Sequence, residues 1–229
     1  MTPTPYGTPD TPRLAVRGEA HLEVDPEIAR IGITVQARGT DRRETLADLT
    51  RRNTTALDLL RTYTDAVEKL ETGTFSLSPE LTKHGRGERV RSYQGSVHIT
   101  ADLTDFTALG ELTTRLADLD LTRVDGPWWT LRPDSPAHRE ARQHAVREAV
   151  QRAREYAEAL GTTLTALVEL ADIGAENAQP YGMEPHSRSL RTKGFDAAPE
   201  EPQILDLEPE RQHVYAQVNA RFTMAPPAL

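Results

Sequence analysis

The sequence predicts an α+β fold: antiparallel β-hairpins with helices layered on them, in the order ββαββαβαββ. Three observations carry this expectation. Several segments alternate apolar and polar residues with a period of two, the mark of half-buried strands. Two others repeat apolar residues at spacings of three and four, the mark of a helix seated on a core. One long segment places alanine at every fourth position, at Ala137, Ala141, Ala145, Ala149, Ala153 and Ala157.

Residues 1–12, rich in Pro and Thr, read as a disordered arm. A first strand follows within 13–24, carrying Leu14, Val16, Leu22 and Val24. Asp25-Pro26-Glu27 turns the chain, and Ile31, Ile33, Val35 and Ala37 alternate with Gly32, Thr34 and Gln36. The two strands read as an antiparallel hairpin. Asp41, with Glu44 three residues on, resembles a capping box and opens a helix expected over 41–68. Its core face holds Leu46, Leu49, Asn53, Leu57, Leu60, Thr64 and Val67. Asn53 reads as a hydrogen-bonded buried amide or a boundary residue, with a ligand contact as the alternative.

Residues 72–84 and 89–102 form a second hairpin around His84-Gly85-Arg86-Gly87-Glu88, rich in the glycine such turns need. A shorter helix is expected over 105–118, with Phe106, Leu109, Leu112 and Leu116 inward. Residues 121–131 read as extended and contain Trp128 and Trp129. Two similar ββα passes, 13–68 and 72–118, hint at an internal repeat.

Ser135 before Pro136 is a start signal for the alanine-rich helix, and Gly161 is its stop. Alanine is the best helix former and leaves a shallow ridge, so another element can approach closely. The ridge drifts by about 40° per step. Val146, Val150, Tyr156 and Leu160 are therefore expected to widen the buried stripe. A strand through Leu164, Ala166, Val168 and Leu170 comes next. Residues 175–201, broken by Pro180, Gly182, Pro185, Gly194 and Pro199, read as a long irregular loop of a kind that is usually functional, partner-ordered or disordered. A last strand runs through Val214, Ala216, Val218, Ala220 and Phe222, and 225–229 form a tail. The domain as a whole is expected to span 13–224.

Composition narrows the function. The chain has 229 residues and a formal net charge of −8, with arginine far commoner than lysine and no basic stripe. Nucleic acid is a poor partner for such a surface. The absence of cysteine excludes disulfides, thiolate catalysis and cysteine-ligated metal sites. The first residues form neither a basic nor an apolar leader, and no stretch reaches the roughly 18–20 apolar residues of a membrane span. A soluble cytoplasmic protein without membrane insertion is the expectation.

Several local patterns together resemble the SIMPL-domain family, which includes bacterial periplasmic immunogenic proteins and oxidative-stress defence proteins. Val24-Asp25-Pro26-Glu27-Ile28-Ala29 is similar to the family's early Pro-Asp-x-Ala turn, with Glu27 in place of Asp. Asn53 stands where relatives carry an asparagine in the first helix. Leu77-Ser78-Pro79 and Tyr93-Gln94-Gly95-Ser96-Val97 resemble its second hairpin. The spaced alanines ending in Leu160-Gly161, and the closing alternating strand, complete the set. The chain departs at Pro209-Glu210, where the family often has Pro-Gly, at Trp128-Trp129, and in lacking the usual export signal. The resemblance implies an α+β fold, a large ring-like or closed homo-oligomer in some relatives, and a loose link to stress defence. It supplies no established catalytic residues.

Reactive constellations are sparse. Glu140, His144 and Glu148 follow one another at helical spacing and could share a metal ion, which gives a metal-dependent or small-molecule enzyme as one alternative reading. The other reading of this row is an exposed charged face with helix-supporting pairs such as Glu148–Arg152. Trp128 and Trp129 alternate across a strand, so one ring faces the core and the other is free to anchor an interface. Tyr181 and Phe195 are further candidate interface residues in the irregular segment. The expectation is a non-enzymatic, self-assembling protein with no cofactor, whose partner is itself; a monomeric protein-binding adaptor is a second alternative.

Overall fold

The computed structural model describes residues 7–81, 89–172, 175 and 205–228. Among these residues seven strands and three helices follow in the expected order: β1 (Arg13–Val24), β2 (Ile28–Gly39), α1 (Arg42–Arg61), β3 (Val67–Leu81), β4 (Val90–Leu103), α2 (Phe106–Ala117), β5 (Thr122–Thr130), α3 (Pro136–Ala159), β6 (Leu164–Asp172) and β7 (Gln212–Met224). They build an α+β fold of two sheets, ordered β3-β4-β2-β5 and β1-β7-β6. The chain divides into two compact units, one centred on 25–132 and the other made from the N-terminal segment, 133–195 and the C-terminal strand.

In the four-stranded unit, β2 is central. It pairs antiparallel with β4 on one side and with β5 on the other. Ala29, Ile31, Ile33, Val35 and Ala37 are all buried, as alternation requires. They meet Val97, Ile99, Ala101 and Leu103 of β4, and α1 and α2 close the layer with Leu49, Ala56, Leu60, Leu109, Leu112 and Leu116. The Asp41 carboxylate accepts from the Arg43 and Glu44 amides at 2.7 and 3.0 Å, and Asp105 caps α2 in the same way.

Four expectations fail here. β1 and β2 are not a hairpin: both edges of β2 are occupied by β4 and β5, so β1 pairs with β7 instead. This also breaks the proposed internal repeat, because only the second ββα pass keeps its strands in one sheet. Helix α1 ends at Arg61, not 68. Thr62 caps it, Thr62 and Tyr63 turn the chain, and Val67 opens β3. Leu46 lies in the first turn and is exposed, whereas Thr45 takes the buried position. Asn53 sits half-buried on the same stripe, and its Oδ1 is buried without a hydrogen-bond partner among the described residues, so the expected hydrogen-bonded amide is not formed.

The three-stranded unit is built on the alanine ridge. All six alanines of α3 are buried, and β1 lies against them. A Cβ at Gly18 would fall 2.0 Å from the Ala145 carbonyl oxygen and 2.7 Å from the Ala149 Cβ. Strand and helix backbones therefore touch at this point, an approach only glycine opposite alanine permits. Ser135 caps α3, and Gly161 ends it at φ +66. The Gly161 amide bonds to the Glu158 carbonyl and the Thr162 amide to that of Ala157, a Schellman closure. Tyr156 and Leu160 are exposed, contrary to expectation. A ridge of methyl groups seats the helix so close to β1 that the flanking positions stand clear of it. β1 and β7 run antiparallel: the Met224 amide bonds to the Pro12 carbonyl at one end, and His213 pairs with Glu23 at the other. The arm expected to be disordered through residue 12 is thus anchored at Pro12, and Thr8 and Thr11 form a small closed turn.

Candidate functional site

Of the four expected interface residues, Tyr181 and Phe195 lie outside the described residues. The two tryptophans separate as strand alternation demands. Trp129 packs edge-on against Phe106 of α2, ring centroids 4.9 Å apart at 78°, and is half-buried against the core. Trp128 points to the opposite face and is 52% exposed. Its ring reaches across to Gly32 of β2, where an added Cβ would stand 3.3 Å from the ring and 3.1 Å from His98. Gly32 is buried beneath these two rings.

This face of the four-stranded sheet is polar and tied together across strands. Arg30 of β2 donates from Nε and Nη2 to the two carboxylate oxygens of Asp102 at 2.6 and 2.8 Å. Asp102 is buried, and the fork of donors from Arg30 holds its carboxyl below the usual carboxylate range. Thr34 bonds to His98 Nδ1 at 3.3 Å, and Ser76 to Ser96 at 2.9 Å. Ser92 donates to Glu80 at 2.6 Å, and Arg38 pairs with the same carboxylate. Those two partners, Ser92 first, lower the Glu80 pKa. Arg30 and Asp102 are seventy-two positions apart in sequence, and only the β2–β4 register sets them opposite one another. Their alternation phase was visible in the sequence; their pairing was not.

The acidic and imidazole row on α3 does not converge. Glu140 and His144 approach to 3.7 Å. Glu148 instead pairs with Arg152 at 2.5 Å and accepts from the Glu19 amide of β1 at 3.1 Å. Its carboxylate thus fastens the helix to the strand. Among the described residues no group of three or more metal-ligating side chains is gathered.

A surface that sequence reasoning treated as an ordinary strand stands out in the three-stranded unit. β6 ends the order β1-β7-β6. Leu167 is 54% exposed, Val168 43% and Leu170 47%. Leu167 and Leu170 lie opposite the buried Phe222 and Ala220 of β7, so they prolong its apolar face past the last covered strand. Tyr156 and Leu160, in the last turns of α3 that lead into β6, are exposed as well. The signal was present in the sequence as Leu164, Ala166, Leu167, Val168 and Leu170: apolar residues on both phases of one strand. No helix among the described residues is long and apolar enough to cross a membrane.

The family model of SIMPL, described as a protein of unknown function (DUF541), matches residues 14–222. No curated protein matches the chain.

Proposed function

The chain belongs to the SIMPL family, and from that premise we propose that it is a non-enzymatic protein that assembles with copies of itself into a closed homo-oligomer. The observation that carries this reading is β6, which ends its sheet among the described residues and exposes Leu167, Val168 and Leu170; Tyr156 and Leu160, at the end of the preceding helix, are exposed too. Exposed apolar side chains on a strand at the end of its sheet favour association, because burial against a partner removes them from water. Trp128 is a second exposed anchor, of the residue type that concentrates at interface centres. A role in stress defence would act through assembly or sequestration, since a chain without cysteine cannot turn over as a thiol peroxidase.

Light scattering on the full chain after gel filtration tests the reading. A mass several times that of one chain at micromolar concentration is the expected result. A single chain mass across that range overturns it.

A further inference from the structure

We propose that two copies of this chain join edge to edge along β6, antiparallel and about a two-fold axis, so that two three-stranded sheets become one of six strands. The proposal rests on the self-assembly reading and names one contact of that assembly, since a two-fold contact by itself joins two copies.

The terminal strands of the two sheets differ in how they are protected. β1 carries Arg13, Arg17, Glu19 and Glu23. β3 carries Glu68, Lys69, Glu71, Pro79 and Glu80. β5 carries Arg123, Asp125 and Pro127. Charges and proline on an edge discourage a further strand. β6 reads Leu-Thr-Ala-Leu-Val-Glu-Leu-Ala-Asp, with no proline, lysine or arginine. Glu169 is already turned to Arg221 of β7.

Charge placement selects a second copy and its direction. Both acidic residues, Glu169 and Asp172, lie in the C-terminal half of the strand; Leu164–Val168 is uncharged. Antiparallel pairing sets each acidic residue of the strand against an uncharged residue of the other copy. Parallel pairing would set each carboxylate beside its own counterpart, which is unfavourable. The symmetric arrangement is therefore self-complementary, as a two-fold contact requires. Two bulges in the pairing with β7 fall between Leu164 and Ala166 and between Leu167 and Glu169. They leave Glu169–Asp172 as the regular stretch and place the axis near Leu170. Leu170 then meets Leu170, Glu169 meets Ala171, and Asp172 meets Val168. Leu167 and Leu170 of the two copies continue one apolar face across the axis.

The absence of native cysteine makes the test direct. Single cysteines are introduced into the full chain at Val168, Leu170 and Ala171, and at the exposed Phe75 of β3 as a control. Directly opposed residues of an antiparallel pair have Cα atoms about 4.5–5.5 Å apart, within the roughly 4.4–6.8 Å that a disulfide spans. Under mild oxidation Leu170→Cys is expected to lose its monomer band to a covalent dimer, with Phe75→Cys unchanged. Leu170→Lys, at an exposed position that leaves circular dichroism unaltered, is expected to lower the solution mass. If none of the β6 cysteines crosslinks beyond the Phe75 control while the wild-type chain remains oligomeric, the β6 contact is wrong and self-assembly stands on another surface. If the wild-type chain is monomeric, the self-assembly reading falls, and this contact with it.

Discussion

At the scale of single residues, the most consequential pair is Arg30 and Asp102. A buried carboxylate held by two donors from one guanidinium contributes stability only while it is ionised. Its pKa is lowered in the folded chain, so the contribution is present above the unfolded value and is lost as pH falls through the folded one. Asp102→Asn removes the charge and leaves Arg30 without its partner. The expected loss at neutral pH is about 2 kcal/mol, the scale of a charge-assisted hydrogen bond with one half-exposed partner. Thermal melting of wild type and variant from pH 7 downward checks the sign: the gap persists to about pH 4 and closes below it. Gly32 offers a gentler test. Its added methyl would press on the rings of Trp128 and His98, not on backbone. Gly32→Ala is expected to tilt Trp128 outward, red-shifting its fluorescence, at a cost near 1 kcal/mol.

At the scale of elements, α3 and β1 show how a sequence pattern becomes a contact. The four-residue alanine spacing announced a helix that something approaches closely, and all six alanines are buried. It did not announce what approaches, because Gly18 lies over a hundred positions away and looks like any strand glycine. At Gly18 the clash is with backbone, so neither side can yield by rotating a side chain. Gly18→Ala is expected to cost about 3 kcal/mol, more than the same change at Gly32; chemical denaturation of both variants decides the order. If the two changes cost the same, the close seating of β1 on the ridge is wrong. The same logic explains the misread flanks. Tyr156 and Leu160 have helical phase suited to a wide stripe, but a helix drawn in by methyl groups buries a narrow one. The caps at Asp41 and Ser135 and the stop at Gly161 were legible, because each is written within a few residues of the end it fixes; the end of α1 at Arg61 was not.

At the scale of the whole molecule, what the sequence concealed was which strands meet. Element type and order follow from local period, but the pairing of β1 with β7 joins the two ends of the chain, and nothing local encodes it. The candidate surface shared that fate. Val168 and Leu170 read only as part of a strand, and the strand order is what leaves them, with Leu167, exposed at the end of the sheet. The nature of that surface also fixes how an assembly should respond to salt. Backbone pairing and apolar burial are not weakened by screening, and salting-out ions strengthen burial. Ion pairs between exposed charges are largely screened once the Debye length falls to about 3 Å at 1 M salt. The competing surface is the outer face of α3, where Arg139, Arg142, Arg147, Arg154, Glu155 and Glu158 would have to meet charges on another copy. An oligomer held through β6 is therefore expected to keep its mass when sodium chloride is raised from dilute buffer to molar concentration, and to shrink when Leu170 is replaced by lysine. An oligomer held through α3 would do the reverse, dissociating with salt and ignoring the change at Leu170. Light scattering on the two proteins across that salt range separates the cases.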